Sequence, residues 1–127
     1  MATILLVDDD LNILEVTSAI LEYGGYKVLR RGNGQEAMAY LQKPGRGGLP
    51  DLILSDTMMP VMDGRELCRR VQADPSFSTI PFVLMSAAPG ALAQDNLSYS
   101  AFVPKPFDAL GLLATLEKVL GEKKARC

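Results

Sequence analysis

Five short apolar runs punctuate the chain: Ile4–Val7, Tyr26–Leu29, Leu52–Leu54, Phe82–Met85 and Ala101–Val103. Each has strand length, and longer amphipathic stretches separate them. The first run is apolar at every position, as is most of the fourth. That pattern suits strands covered on both faces, and such strands belong to parallel sheets with helices above and below.

Between the runs, Ile13, Leu14, Thr17, Ile20 and Leu21 recur at helical spacing and predict a first helix that stops at Gly24-Gly25. Asn33, with Glu36 three residues on, reads as a capping box opening a second helix, with Ala37 and Leu41 inward and Pro44-Gly45 ending it. Asp63 caps a third helix carrying Leu67 and Val71. A fourth, short, shifted or irregular, is expected within Ala91–Tyr99. Asp108 opens the last, with Leu112, Leu113, Leu116 and Leu120 as its buried stripe before Gly121. Strand and helix alternating five times, with right-handed crossovers, predict an α/β flavodoxin-like, doubly wound five-stranded parallel sheet, (βα)5. Its ligand crevice should lie at the carboxyl ends of the strands.

With 127 residues, 48% of them apolar, the chain has the size of one domain, expected over residues 1–121 with 122–127 as a tail. The net charge of −2 comes from 13 basic and 15 acidic residues mixed along the chain, which gives no field for direct nucleic-acid binding. Cys68 and Cys127 make no disulfide framework, so a reducing, cytoplasmic setting is expected. The N-terminus reaches three acids after one short apolar run, too soon for a signal peptide or membrane span.

Polar residues gather where the crevice should be. Asp8-Asp9-Asp10 follow the first strand, Asp56 follows the third run, Ser86 the fourth, and Lys105-Pro106 come after the fifth. Each has an ordinary reading when taken singly. Asp10 and Asn12 read best as caps of the first helix, Asp8 or Asp9 as a solvated loop acid, Lys105 as a surface lysine and Ser86 as a strand-end hydroxyl bonded to backbone. Those readings do not explain why acids, hydroxyl and lysine share four strand ends. Clustered carboxylates repel unless a cation or protons neutralise them, and a hard dication such as Mg²⁺ suits oxygen donors.

The segments Ile4-Leu5-Leu6-Val7-Asp8-Asp9-Asp10, Pro50-Asp51-Leu52-Ile53-Leu54-Ser55-Asp56 running on to Asp63-Gly64, Met85-Ser86-Ala87 and Lys105-Pro106-Phe107 together resemble the receiver domains of two-component response regulators, the CheY-like superfamily. The similarity runs from Ile4 to about Leu120, and the stretch from Asp56 to Gly64 is its most specific part. The resemblance implies a phosphorylation-activated signalling switch that catalyses only its own phosphorylation and dephosphorylation. Asp56 would be the phosphoacceptor. Asp9, Asp56 and the backbone carbonyl of Met58 would hold Mg²⁺, or Mn²⁺ in its place, with Asp8 acting directly or through water. Lys105 would pair with the phosphoryl group, Ser86 would donate to it, and Phe102 would be the switch aromatic, with core packing as its plain alternative. Lys105-Pro106 resembles the family's cis peptide. Met58 and Ala88, both apolar, would flank the hydrolytic water and leave the aspartyl phosphate long-lived.

Lys105 follows Ser86 by 19 residues, fewer than the family usually has by about one helical turn, hence the irregular fourth helix. The chain has no histidine, so a phosphohistidine donor must sit on a separate kinase or histidine phosphotransfer protein. Output would pass to an unknown downstream protein, from a single-domain regulator or from a receiver within a larger regulator or hybrid kinase. Other readings exist: a haloacid-dehalogenase-type phosphatase using Asp8 and Asp10, though Asn12 departs from its pattern, or a protein-binding module that needs no phosphorylation. A flavin site is disfavoured by three aspartates where a phosphate would lie. A calcium loop is disfavoured by Ile13 and Ala19 where its glycine and glutamate are required.

Overall fold

The computed structural model describes residues 2–45, 48–59, 61–86, 101–105 and 107–125, with side chains described up to Gly121. The expected fourth helix, together with Ala88 and Pro106, lies outside the described residues.

Five parallel strands, β1 (Thr3–Val7), β2 (Lys27–Arg31), β3 (Leu52–Asp56), β4 (Phe82–Ser86) and β5 (Ala101–Pro104), form one sheet in the order β2-β1-β3-β4-β5. This is the flavodoxin-like order, and its reversal between β1 and β3 opens the crevice the sequence led us to expect. Four helices are described: α1 (Leu11–Tyr23), α2 (Gly34–Gln42), α3 (Gly64–Ala73) and α4 (Ala109–Ala125).

The side-chain alternation of the strands sorts the core into two layers. Leu5, Val7, Ile53, Phe82 and Leu84 face α2 and α3, where they meet Ala37, Met38, Leu41, Leu67, Cys68 and Val71. Ile4, Leu6, Leu52, Leu54, Val83 and Met85 face α1 and α4, against Leu14, Leu21, Leu112, Leu116 and Val119. Burial on both faces explains why these strands read as unbroken apolar runs.

Local signals bound α1, α2 and α3. The side chain of Asp10 accepts from the Asn12 and Ile13 N–H groups at the start of α1, while Asn12 is already inside the helix and caps nothing there. Gly25 adopts φ +92°, and the Tyr26 N–H returns to the Leu21 carbonyl at 3.1 Å. That bond draws Tyr26 into the turn, so β2 starts at Lys27 rather than Tyr26 and runs on to Arg31. The expected capping box at α2 is modified: Asn33 accepts from Glu36 N–H at 2.9 Å, but the Glu36 carboxylate reaches Gly32 N–H rather than that of Asn33. Asp63 caps α3 through Glu66 N–H at 2.9 Å. In α4 the buried stripe is Leu112, Leu116 and Val119, with Leu113 and Leu120 partly buried, and the helix continues past Gly121 to Ala125. A glycine costs a helix interior about 1 kcal/mol without stopping it.

Candidate functional site

Asp8 stands one residue beyond β1, Asp56 ends β3, Ser86 ends β4 and Lys105 follows β5 directly. Parallel pairing aligns these ends, with Asp56 opposite Met85 and Ser86 opposite Pro104. Residues 49 and 97 positions apart thereby meet: Lys105 Nζ lies 3.0 Å from Asp56 Oδ1 and 3.3 Å from Asp8 Oδ2.

The two acids after β1 divide in character. Asp8 is fully buried and also accepts from the Asp10 N–H at 3.0 Å. Asp9 is exposed, yet one carboxylate oxygen from each of Asp8, Asp9 and Asp56 lies within 4.8 Å of the others. Asp10 is not of this group, because its carboxylate is spent on the α1 N-terminus.

Burial pushes the Asp8 carboxyl above its ordinary pKa. The Asp10 N–H opposes that rise, the charge of Asp56 adds to it and Lys105 opposes it. Burial alone would lower the Lys105 pKa, but its hydrogen bond to Asp56 and the charges of Asp8 and Asp56 outweigh it and raise the net value. One lysine charge thus stands beside a cluster of three carboxylates, two of which it contacts. The charge deficit and the all-oxygen donor set fit a hard divalent cation.

Backbone contacts position Asp56 from behind. An ideal Cβ on Gly64 would fall 2.0 Å from the Asp56 carbonyl oxygen, so only glycine fits there. Ser55 Oγ donates to that same carbonyl at 2.9 Å, and the Gly64 N–H reaches the Thr57 carbonyl at 2.9 Å. The Thr57 N–H lies 3.0 Å from Asp56 Oδ1 and 2.9 Å from the Met85 carbonyl, to which the Thr57 hydroxyl also donates at 2.7 Å. The loop that follows carries exposed Met58 and Val61, the latter at φ +68°, a strained setting for a β-branched residue.

Ser86 is buried, and its carbonyl accepts from the Lys105 N–H at 2.9 Å. Phe102 is half-buried and packs against the core layer under α2 and α3. In the sequence Gly64 stands out only as part of a motif, and Thr57 not at all. A threonine directly after the strand-end acid was the signal available in the sequence.

Among the described residues no helix is long and apolar enough to cross a membrane. Residues 4–117 match the family described as "Response regulator receiver domain". Response regulator Rre1 of Synechocystis is 35% identical over 97% of this chain and 53% of its own length; the chain spans about half the length of the curated relatives it matches. Among solved structures, a CheY-like receiver domain protein from Methanospirillum hungatei aligns with TM-score 0.87 and 25% identity, covering 100% of this chain and 99% of that one. The receiver domain of sensor histidine kinase PA1611 from Pseudomonas aeruginosa, which carries a magnesium ion coordinated in its active-site cleft, aligns with TM-score 0.84 and 27% identity over 94% and 98%.

Proposed function

The chain belongs to the response regulator receiver family, the phosphorylation-activated switches of two-component signalling, and from that premise we propose that Asp56 is the residue that takes the phosphoryl group. The observation that carries this reading is the 3.0 Å contact of Asp56 with Lys105 at the mouth of a cluster shared with Asp8 and Asp9. Asp56 is the strand-end acid whose carboxylate is part-exposed while its backbone is locked, a combination suited to an oriented nucleophile.

In the proposed reaction a carboxylate oxygen of Asp56 attacks phosphorus of a phosphohistidine on a histidine kinase or histidine phosphotransfer protein. The phosphorus–nitrogen bond breaks, and the imidazole leaves and takes up a proton. The chain's own catalysis is confined to gaining and losing this group. Lys105, already beside Asp56, pairs with the incoming oxygens, and the Ser86 hydroxyl donates to another of them. Asp8, Asp9, Asp56 and the Met58 carbonyl would hold Mg²⁺, with Mn²⁺ as a substitute. When bound, the cation supplies charge neutralisation on the transferring oxygens. Movement of Ser86 toward the phosphoryl group gives Phe102 room to turn inward, changing the surface offered to a downstream protein in the cytoplasm.

The haloacid-dehalogenase reading is not favoured, because it needs a reacting carboxylate at Asp10, which is committed to capping α1. Incubation with acetyl phosphate and Mg²⁺, followed by intact-mass measurement, tests the proposal. The wild type should gain one phosphoryl group and Asp56→Asn none. Equal uptake by the variant would refute the assignment.

A further inference from the structure

The carbonyl oxygen of Met85 receives two hydrogen bonds from one residue: the N–H of Thr57 at 2.9 Å and its hydroxyl at 2.7 Å. The N–H is the rung expected of a parallel ladder one step beyond the Asp56–Met85 pair. The hydroxyl bond is additional. The same N–H also lies 3.0 Å from Asp56 Oδ1, so it is shared between the ladder and the carboxylate.

A buried carbonyl left without a donor costs about 1–3 kcal/mol, and Met85 is fully buried. If the ladder N–H were its sole donor, that N–H would be drawn away from Asp56. We propose that the hydroxyl of Thr57 is a positioning group for the phosphoacceptor: it helps to satisfy the Met85 carbonyl and so lets the Thr57 N–H be shared with the Asp56 carboxylate, which it orients. With Lys105 Nζ on the same Oδ1 at 3.0 Å, two donors then fix the rotation of the carboxylate before any phosphodonor arrives. Thr57 itself is buried, and its hydroxyl is spent on the Met85 carbonyl. The inference rests on Asp56 being the phosphoacceptor.

Thr57→Val keeps the shape and the N–H and removes the hydroxyl, whereas Thr57→Ser keeps the hydroxyl. Three quantities are measured on the full chain: the initial rate of phosphorylation by acetyl phosphate at saturating Mg²⁺, Mg²⁺ affinity of the unphosphorylated protein, and thermal stability. Thr57→Val should phosphorylate about fivefold more slowly, the rate equivalent of one neutral hydrogen bond. Its Mg²⁺ affinity should fall by no more than the same factor, since Asp56 is only one of the three carboxylates that would hold the cation. Thr57→Ser should regain the wild-type rate, which a purely packing role for the side chain would not predict. Should Thr57→Val fail to fold, Thr57→Ala carries the same expectation. A wild-type rate in the hydroxyl-free variants, or a Ser variant as slow as they are, overturns the proposal while leaving Asp56 as acceptor. A wild type that takes no phosphoryl group at all overturns the functional reading and this inference with it.

Discussion

Lys105 bridges the carboxylates of Asp56 and Asp8, 3.0 Å from the one and 3.3 Å from the other, and its side chain is only 17% exposed. Pairing at this depth is worth more than a surface ion pair, and its loss leaves buried acids facing each other.

Lys105→Ala should therefore be roughly 1–3 kcal/mol less stable near neutral pH without metal. Because folding raises the Lys105 pKa, its contribution is complete below the unfolded lysine value. It disappears only as pH climbs through the higher folded value. Denaturant melts across neutral and alkaline pH should show the gap between wild type and variant closing only in that upper range. The variant should still accept phosphate, slowly, and amide-exchange changes around Ser86 and Phe102 on phosphorylation should be smaller than in wild type.

Asp8→Asn should act with opposite signs in the absence and presence of metal. Asp8 has a raised folded pKa, so the cost of holding its charge is absent below the unfolded pKa, grows as pH rises from there to the folded value, and is complete above it. Without metal the Asn variant should be about 1 kcal/mol more stable at pH 7, with the gap closing on acidification. With excess Mg²⁺ the order should reverse, because the wild type gains binding free energy that the variant has given up. Melting curves with EDTA and with Mg²⁺ read both signs; a variant less stable under both conditions would contradict the charge argument.

Gly64→Ala forces a methyl group to 2.0 Å from the Asp56 carbonyl oxygen. Because the obstacle is backbone, relief requires moving either β3 or the start of α3. We expect a loss of at least about 3 kcal/mol, well beyond the roughly 1 kcal/mol for Gly25→Ala, where the cost is positive φ without a clash. Comparing the two by urea unfolding separates steric from conformational cost.

Met58→Asn tests the lifetime of the phosphorylated form. Met58 is exposed on the loop two residues after Asp56 and offers no group that could orient water. The wild-type aspartyl phosphate should therefore be long-lived, and the Asn variant should lose it roughly fivefold faster, the effect of one added hydrogen bond on a rate. Decay of phosphoprotein after donor removal, followed side by side, gives the comparison; rapid decay in the wild type would mean that another group positions the water.

What could be read from the sequence was what acts over a few residues. Asp10, Asn33 and Asp63 cap helices through N–H groups two or three positions away, and the five apolar runs mark buried strands, because both are set by local geometry and solvent exclusion. The third run lengthens through a partner distant in sequence: β3 runs on past Leu54 to Asp56 because the neighbouring strand β4 supplies Met85 as its partner.

The sequence by itself determined the strand–helix order, the sheet class and the candidate set Asp8, Asp9, Asp56, Ser86 and Lys105, since period, caps and motif spacing are properties of the chain. The resemblance gave Asp8 and Asp9 different parts in holding metal, but the pattern of the chain did not say which of the two adjacent acids is buried. Only the tertiary structure decided that Asp8 is buried against Lys105 while Asp9 faces solvent, because that depends on what lies beyond β1 after the sheet has formed. It also decided that Thr57 meets Met85 and that Gly64 backs Asp56. Those contacts span strands and a loop closure, and a side chain's energy there depends on atoms that the local sequence does not specify.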